Sequence, residues 1–111
     1  MKLNPAQRQE HAARRAELMR RVGKNAVVIV PAAHEVIRAR DTHYRFRQNR
    51  DFAYLTGFQE PESIAVLAPG RGDGEFVLFV RPKDKALEIW NGRRAGPEGA
   101  RKHFGADQAF N

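Results

Sequence analysis

Apolar residues come in short, separated bursts along this chain, and the spacing differs from burst to burst. Between Ala6 and Val22 it is helical: Ala12, Ala16 and Met19 share one face, with Leu18 and Val22 flanking. Glu10, Arg14, Glu17 and Arg21 lie opposite, where Glu10–Arg14 and Glu17–Arg21 are i,i+4 pairs. Asn4-Pro5 offers an N-cap followed by proline, and Gly23 a C-terminal cap. The narrow, Ala-rich stripe predicts a helix lying close against a sheet. Ala26 to Val30 (AVVIV) does not alternate and predicts a strand buried on both faces, ended by Pro31. Ile64 to Leu67 (IAVL) and Phe76 to Val80 (FVLFV) predict two strands, joined as an antiparallel hairpin by the Gly-rich residues 68–74. Leu87 to Trp90 is a fourth strand candidate, and Pro97 to Phe104, with Glu98 early and Arg101 and Lys102 late, a closing helix. This order, α-β-loop-β-β-β-α, implies an α/β fold: a mixed β-sheet with α-helices packed on it.

The loop in that order is the densest part of the chain. Across Tyr44 to Phe58, YRFRQNRDFAYLTGF, large apolar groups alternate with Arg45, Arg47, Arg50 and Asp51. So many aromatics cannot be solvated, so the stretch must dock on the core. Phe52, Tyr54, Leu55 and Phe58 are expected against the sheet, with Arg47 and Asp51 in local polar bonds. Thr56-Gly57 is expected to stop a helix or turn.

Composition narrows the class. The 111 residues fit one domain, or part of one, with 41% hydrophobic and 30% charged residues, which suits a globular chain. The absence of cysteine removes disulfides, thiolate metal sites and a cysteine nucleophile, and fits a cytoplasmic protein. The basic N-terminus lacks an apolar signal core, and no apolar run approaches the ~20 residues that span a bilayer. The net charge of +7 raises nucleic acid as a partner, but the basic residues are dispersed, so a solvated surface and no nucleic-acid or membrane partner are expected.

Candidate chemistry is sparse. His11, His34, His43 and His103 are scattered, and His34-Glu35 begins a zinc motif that Arg38 breaks. Gly70 to Gly74 lacks the Lys-Ser/Thr of a phosphate loop and precedes a strand. Ser63, the sole serine, is not in a nucleophile elbow, and no carboxylates pair for acid–base work. Trp90, the only tryptophan, stands at a strand end as either a half-buried core residue or an interface anchor. Arg93 and Arg94 beside it are either solvated or paired with an acid such as Asp51.

The stretch Phe46-Arg47-Gln48-Asn49-Arg50-Asp51-Phe52-Ala53-Tyr54-Leu55-Thr56-Gly57-Phe58 resembles the hallmark of the aminopeptidase P (Xaa-Pro aminopeptidase) N-terminal domain, of the creatinase/prolidase-like N-terminal superfamily. The likeness extends to the first helix, the AVVIV strand, Pro31-Ala32-Ala33-His34-Glu35-Val36, Gln59-Glu60-Pro61-Glu62 and Glu88-Ile89-Trp90 with Gly92-Arg93-Arg94. Arg50, often Ser in the family, and Asn91, often bulkier, depart from it.

The resemblance implies that residues 1–111 are a non-catalytic N-terminal domain with helices on both sides of its sheet, continuing past Asn111. Arg47, Gln48, Asn49, Asp51, Phe52, Tyr54, Leu55, Thr56 and Gly57 would form its structural motif, with no catalytic or metal-ligating residue in this stretch. The parent would remove the residue preceding proline from peptides with proline second. It would do so with two divalent metal ions, usually manganese, in a C-terminal catalytic domain, the partner of this one. A homo-oligomer, dimer or tetramer, would place Trp90 at the border of a neighbour's substrate cleft. A stand-alone module binding peptide or small ligands, or a prolidase-like dipeptidase parent, would share the fold.

Overall fold

The computed structural model describes residues 2–34, 46–84, 88 and 94–111, and the backbone of 37–38 and 42–43. Helix α1 spans Pro5–Val22, and Asn4 caps it in a capping box in which the Asn4 side chain accepts from the Gln7 N–H and Gln7 answers to the Asn4 N–H. Strand β1 (Val28–Pro31) follows, then β2 (Ile37–Arg38), β3 (Thr42–His43) and the short helix α2 (Arg50–Thr56). Strands β4 (Ile64–Leu67) and β5 (Phe76–Phe79), helix α3 (Gly96–Phe104) and β6 (Gln108–Phe110) complete the order.

The main sheet is mixed, in the order β1-β4-β5-β6. The β1–β4 and β4–β5 pairs are antiparallel, and β6 joins β5 in parallel through the α3 crossover. The expected hairpin is present, with residues 68–75 as its loop and the Ala68 N–H bonded to the Glu75 carbonyl at 2.8 Å. The register puts Ala65, Leu67, Phe76 and Leu78 on one face, where they meet Leu3, Phe52, Phe58, Ala100 and Phe104 in a single core. Phe58 is its hub, edge-on to Phe52 at 6.4 Å and to Phe104 at 4.9 Å between centroids.

Several expectations are corrected. The central stretch is not all loop, because residues 50–56 form α2, closed by Gly57 in the left-handed conformation. A Cβ on Gly57 would also lie 2.7 Å from the His11 ring, so glycine is required there twice over. Strand β1 is not buried on both faces: Ile29 is 65% exposed, because β1 is an edge strand and its alternate residues turn from the core. The predicted fourth strand, Leu87 to Trp90, lies outside the described residues except for Glu88. Its N–H donates to the Asp84 carbonyl at 2.9 Å, a helical i,i−4 bond rather than a strand bond. Strands β2, β3 and β6 were not anticipated, being two or three residues long.

The buried face of α1 also differs. Both predicted ion pairs form, Glu10–Arg14 and Glu17–Arg21, and Leu18 and Met19 pack against the core as expected, but Ala12 and Ala16 are exposed and the buried residue of α1 is Arg15. Three α1 side chains reach the C-terminal end of α2, whose last carbonyls have no helical partner. Arg15 Nη1 donates to the Leu55 carbonyl at 2.8 Å; Arg14 Nη1 at 3.2 Å and His11 Nδ1 at 2.8 Å reach the Tyr54 carbonyl. The Arg15 guanidinium also stacks 3.8 Å over the Phe76 ring. Desolvation pulls its pKa down to about 10, opposed by the charge of Asp107, so it remains a cation at neutral pH. A buried cation is tolerated here because the negative end of α2 and an aromatic face receive it.

Phe52→Ala is expected to lower the stability of the chain by about 3–5 kcal/mol, the usual loss for a fully buried phenylalanine. Urea unfolding followed by circular dichroism measures it, and an unchanged midpoint would contradict the core assignment.

Candidate functional site

The polarity of the central stretch resolves into one saturated side chain and several unbonded ones. Gln48 uses its amide completely. Its Oε1 accepts the N–H groups of Ala33 at 2.8 Å and Asn49 at 3.0 Å; its Nε2 donates to the carbonyls of Phe58 at 3.2 Å and Glu60 at 2.9 Å. Asn49 adds a bond from Nδ2 to the Pro31 carbonyl at 3.2 Å. The exit of β1, the entry to α2 and the chain leaving α2 are thereby tied at one point. Thr56 is buried, donating to the Phe52 carbonyl at 2.7 Å and accepting the Phe58 N–H at 3.0 Å.

Phe52 and Leu55 are in the core, as expected. Tyr54 is not: it is 56% exposed, with Arg14 stacked 4.3 Å from its ring centroid. Arg47 and Asp51 are exposed, and no hydrogen bond or ion pair joins either to another described residue, so the local polar bonds expected of them belong to Gln48 and Asn49 instead. One helical turn explains the Tyr54 result, since α2 is short and presents Phe52 and Leu55 inward while Asp51 and Tyr54 point away.

A second polar cluster begins where Gln48 ends. Glu60, whose carbonyl Gln48 holds, extends its carboxylate to Arg81 Nη2 at 3.2 Å and to the Ala95 N–H at 2.7 Å. Glu88 Oε1 accepts Lys83 Nζ at 3.2 Å and the Arg94 N–H at 2.8 Å, and Lys83 Nζ also reaches the Arg94 carbonyl at 3.0 Å. Arg94 therefore does not pair with Asp51; its Nη1 donates to the Pro82 carbonyl at 3.3 Å. Beside this cluster is an open cavity of about 520 Å³ walled by Lys2, Glu60, Lys83, Arg94, Lys102 and His103, among others. The sequence carried Glu60 only as part of a motif. Its position between Gln48 and the residues around 81–95 is a tertiary fact. Trp90 and Arg93 lie outside the described residues.

Three other candidates bond to nearby groups. His34 Nδ1 meets Glu62 at 2.7 Å on the surface, His11 serves α2, and the Ser63 hydroxyl donates to the Pro61 carbonyl at 3.1 Å. Among the described residues no three His, Asp or Glu side chains converge into a group that could hold a metal ion. No helix among them is long and apolar enough to cross a membrane.

A mixed sheet with helices on its core face, locked by a saturated glutamine, defines an α/β domain. The family model for the aminopeptidase P N-terminal domain matches residues 11–111. The chain is 48% identical to the Pseudomonas aeruginosa aminopeptidase PepP structure, with a TM-score of 0.91 over 99% of this chain and 24% of that one. Among curated proteins it is 41% identical to the Escherichia coli Xaa-Pro aminopeptidase over 93% of this chain and 24% of the relative. It is 37% identical to human Xaa-Pro aminopeptidase 3 over 91% of this chain and 22% of the relative. This chain belongs to the aminopeptidase P N-terminal domain family, and it spans about a quarter of the length of these relatives.

Two measurements check the site. Gln48→Leu leaves four backbone groups without the amide and is expected to cost about 2–4 kcal/mol, at 1–3 per unsatisfied group with partial rescue by water; chemical unfolding reads it. His103 is held below its usual 6.5, first by desolvation and then by Lys2, Lys102 and Arg8. Protonation therefore costs the folded state, and stability falls as pH drops through 6.5. Its NMR titration midpoint is expected below 6.5, moving back up in high salt.

Proposed function

We propose that this chain is the non-catalytic N-terminal domain of a metal-dependent Xaa-Pro aminopeptidase. The parent would release the residue preceding proline, using metal ions, manganese by the family resemblance, held in a domain outside these residues. The observation carrying this reading is the match over residues 11–111, together with relatives named Xaa-Pro aminopeptidase at 41% and 37% identity. In this reading the domain shapes one side of the substrate cleft and supports a homo-oligomer, and Trp90 borders a neighbouring subunit's cleft. A cytoplasmic enzyme acting on short peptides is the setting that fits the cysteine-free composition.

The purified 111-residue chain, given manganese and an Xaa-Pro peptide, is expected to show no turnover, and metal-dependent hydrolysis by it would overturn the assignment. In the polypeptide that also carries the metal-binding domain, Trp90→Ala is expected to lower kcat/KM by about tenfold, the scale of one interface aromatic. Unchanged kinetics there would remove Trp90 from the cleft.

A further inference from the structure

The open cavity of about 520 Å³ beside α3 gathers cations without acids to match them. Lys2, Lys83, Arg94, Lys102 and His103 line it, with Glu60 and Glu98 as the acids among its described residues. Glu60 is already engaged, one carboxylate oxygen accepting from Arg81 Nη2 at 3.2 Å and the other from the Ala95 N–H at 2.7 Å. Lys83 is matched by Glu88 at 3.2 Å. No ion pair joins Lys2, Arg94 or Lys102 to another described residue. The Arg94 side chain bonds only a neutral group, the Pro82 carbonyl, at 3.3 Å from Nη1, and its buried Nε has no hydrogen-bond partner. With His103 neutral, three cations against one carboxylate, Glu98, leave two positive charges at the cavity.

Helix α3 accounts for part of this. Lys102 and His103 stand in its last turn, where cations complement the carbonyl end. It does not account for Lys2, which precedes α1, or for Arg94, which precedes α3. The fold brings these side chains to one cavity from distant points of the sequence, and like charges so placed oppose the compact state. Their field reaches His103, whose pKa is held below 6.5 by desolvation first and then by Lys2, Lys102 and Arg8. A bound anion would relieve this repulsion. The cavity also falls within the roughly 300–1,000 Å³ of small-molecule sites, more than a bare phosphate fills.

We propose that this cavity binds a small molecule carrying a phosphate monoester, with Lys2, Arg94 and Lys102 around the phosphate and the remaining volume taken by the organic group. A dianion matches the two uncompensated charges, whereas a single carboxylate would neutralise one. The site is separate from any peptidase chemistry and goes beyond the reading given above.

The test uses this chain and adenosine monophosphate (AMP) at about pH 7.5, where a phosphate monoester carries nearly two negative charges. AMP is expected to shift the backbone amide resonances of Ala95, Lys102 and His103 saturably, and adenosine is not. Lys2→Gln and Lys102→Gln change exposed side chains, so each should melt as wild type while binding AMP about tenfold more weakly, the scale of one charge-assisted hydrogen bond. Arg20→Gln removes the same charge from an exposed position on α1 and should bind as wild type. Sodium sulfate in place of sodium chloride, at equal ionic strength, should raise the titration midpoint of His103, because a nearby dianion favours the imidazolium. The rise should be much smaller in Lys102→Gln. Equal responses to AMP and adenosine would overturn the site. So would an equal loss in Arg20→Gln and Lys102→Gln, which would mark diffuse attraction to the net charge of +7. Tighter binding of a glutamate-rich peptide than of AMP would overturn the small-molecule assignment in favour of an acidic protein segment.

Discussion

The amide of Gln48 is the constraint on which the arrangement of this domain depends. It satisfies groups on Ala33, Asn49, Phe58 and Glu60, which belong to three separate passages of the chain. Backbone groups half-buried between elements must find partners, and a single planar amide with two donors and two acceptors serves all four. Fixing them sets where α2 begins and where the chain leaves it. That in turn puts Phe52 and Phe58 edge-on in the core and sends Glu60 toward the residues around 81–95.

The packing of α1 on α2 follows the same logic with charge added. A seven-residue helix leaves its last carbonyls unpaired, and α1 supplies donors from His11, Arg14 and Arg15 to its C-terminal end. Burying Arg15 would be costly in an apolar setting. Here it meets a carbonyl, a helix terminus and the Phe76 face, and its lowered pKa records the remaining desolvation. Many polar contacts of this domain thus join distant passages of the chain, as those of His11, Arg14, Arg15, Glu60 and Asp107 do.

Much of this was legible beforehand. The capping of α1, the β4–β5 hairpin, the α3 helix and the core roles of Phe52, Leu55 and Phe58 follow from periodicity, turn residues and bulk, which are local properties. The family was legible too, because several ordered motifs occur together. The errors have a common source. Apolarity alone puts Ala12 and Ala16 inward, whereas Arg15 is buried by what it bonds to. The size of Tyr54 favours the sheet, yet its position on a short helix turns it outward.

The amino-acid sequence by itself therefore determined the element types, the apolar core and the family, since spacing, caps and side-chain volume act over a few residues at a time. Only the tertiary structure decided that β1 is an edge strand, that β6 adds in parallel, and that Gln48 and Glu60 carry the polar framework. Those outcomes depend on which distant backbone groups come within about 3 Å of one another, a distance set by the packing of the whole chain rather than by any local pattern.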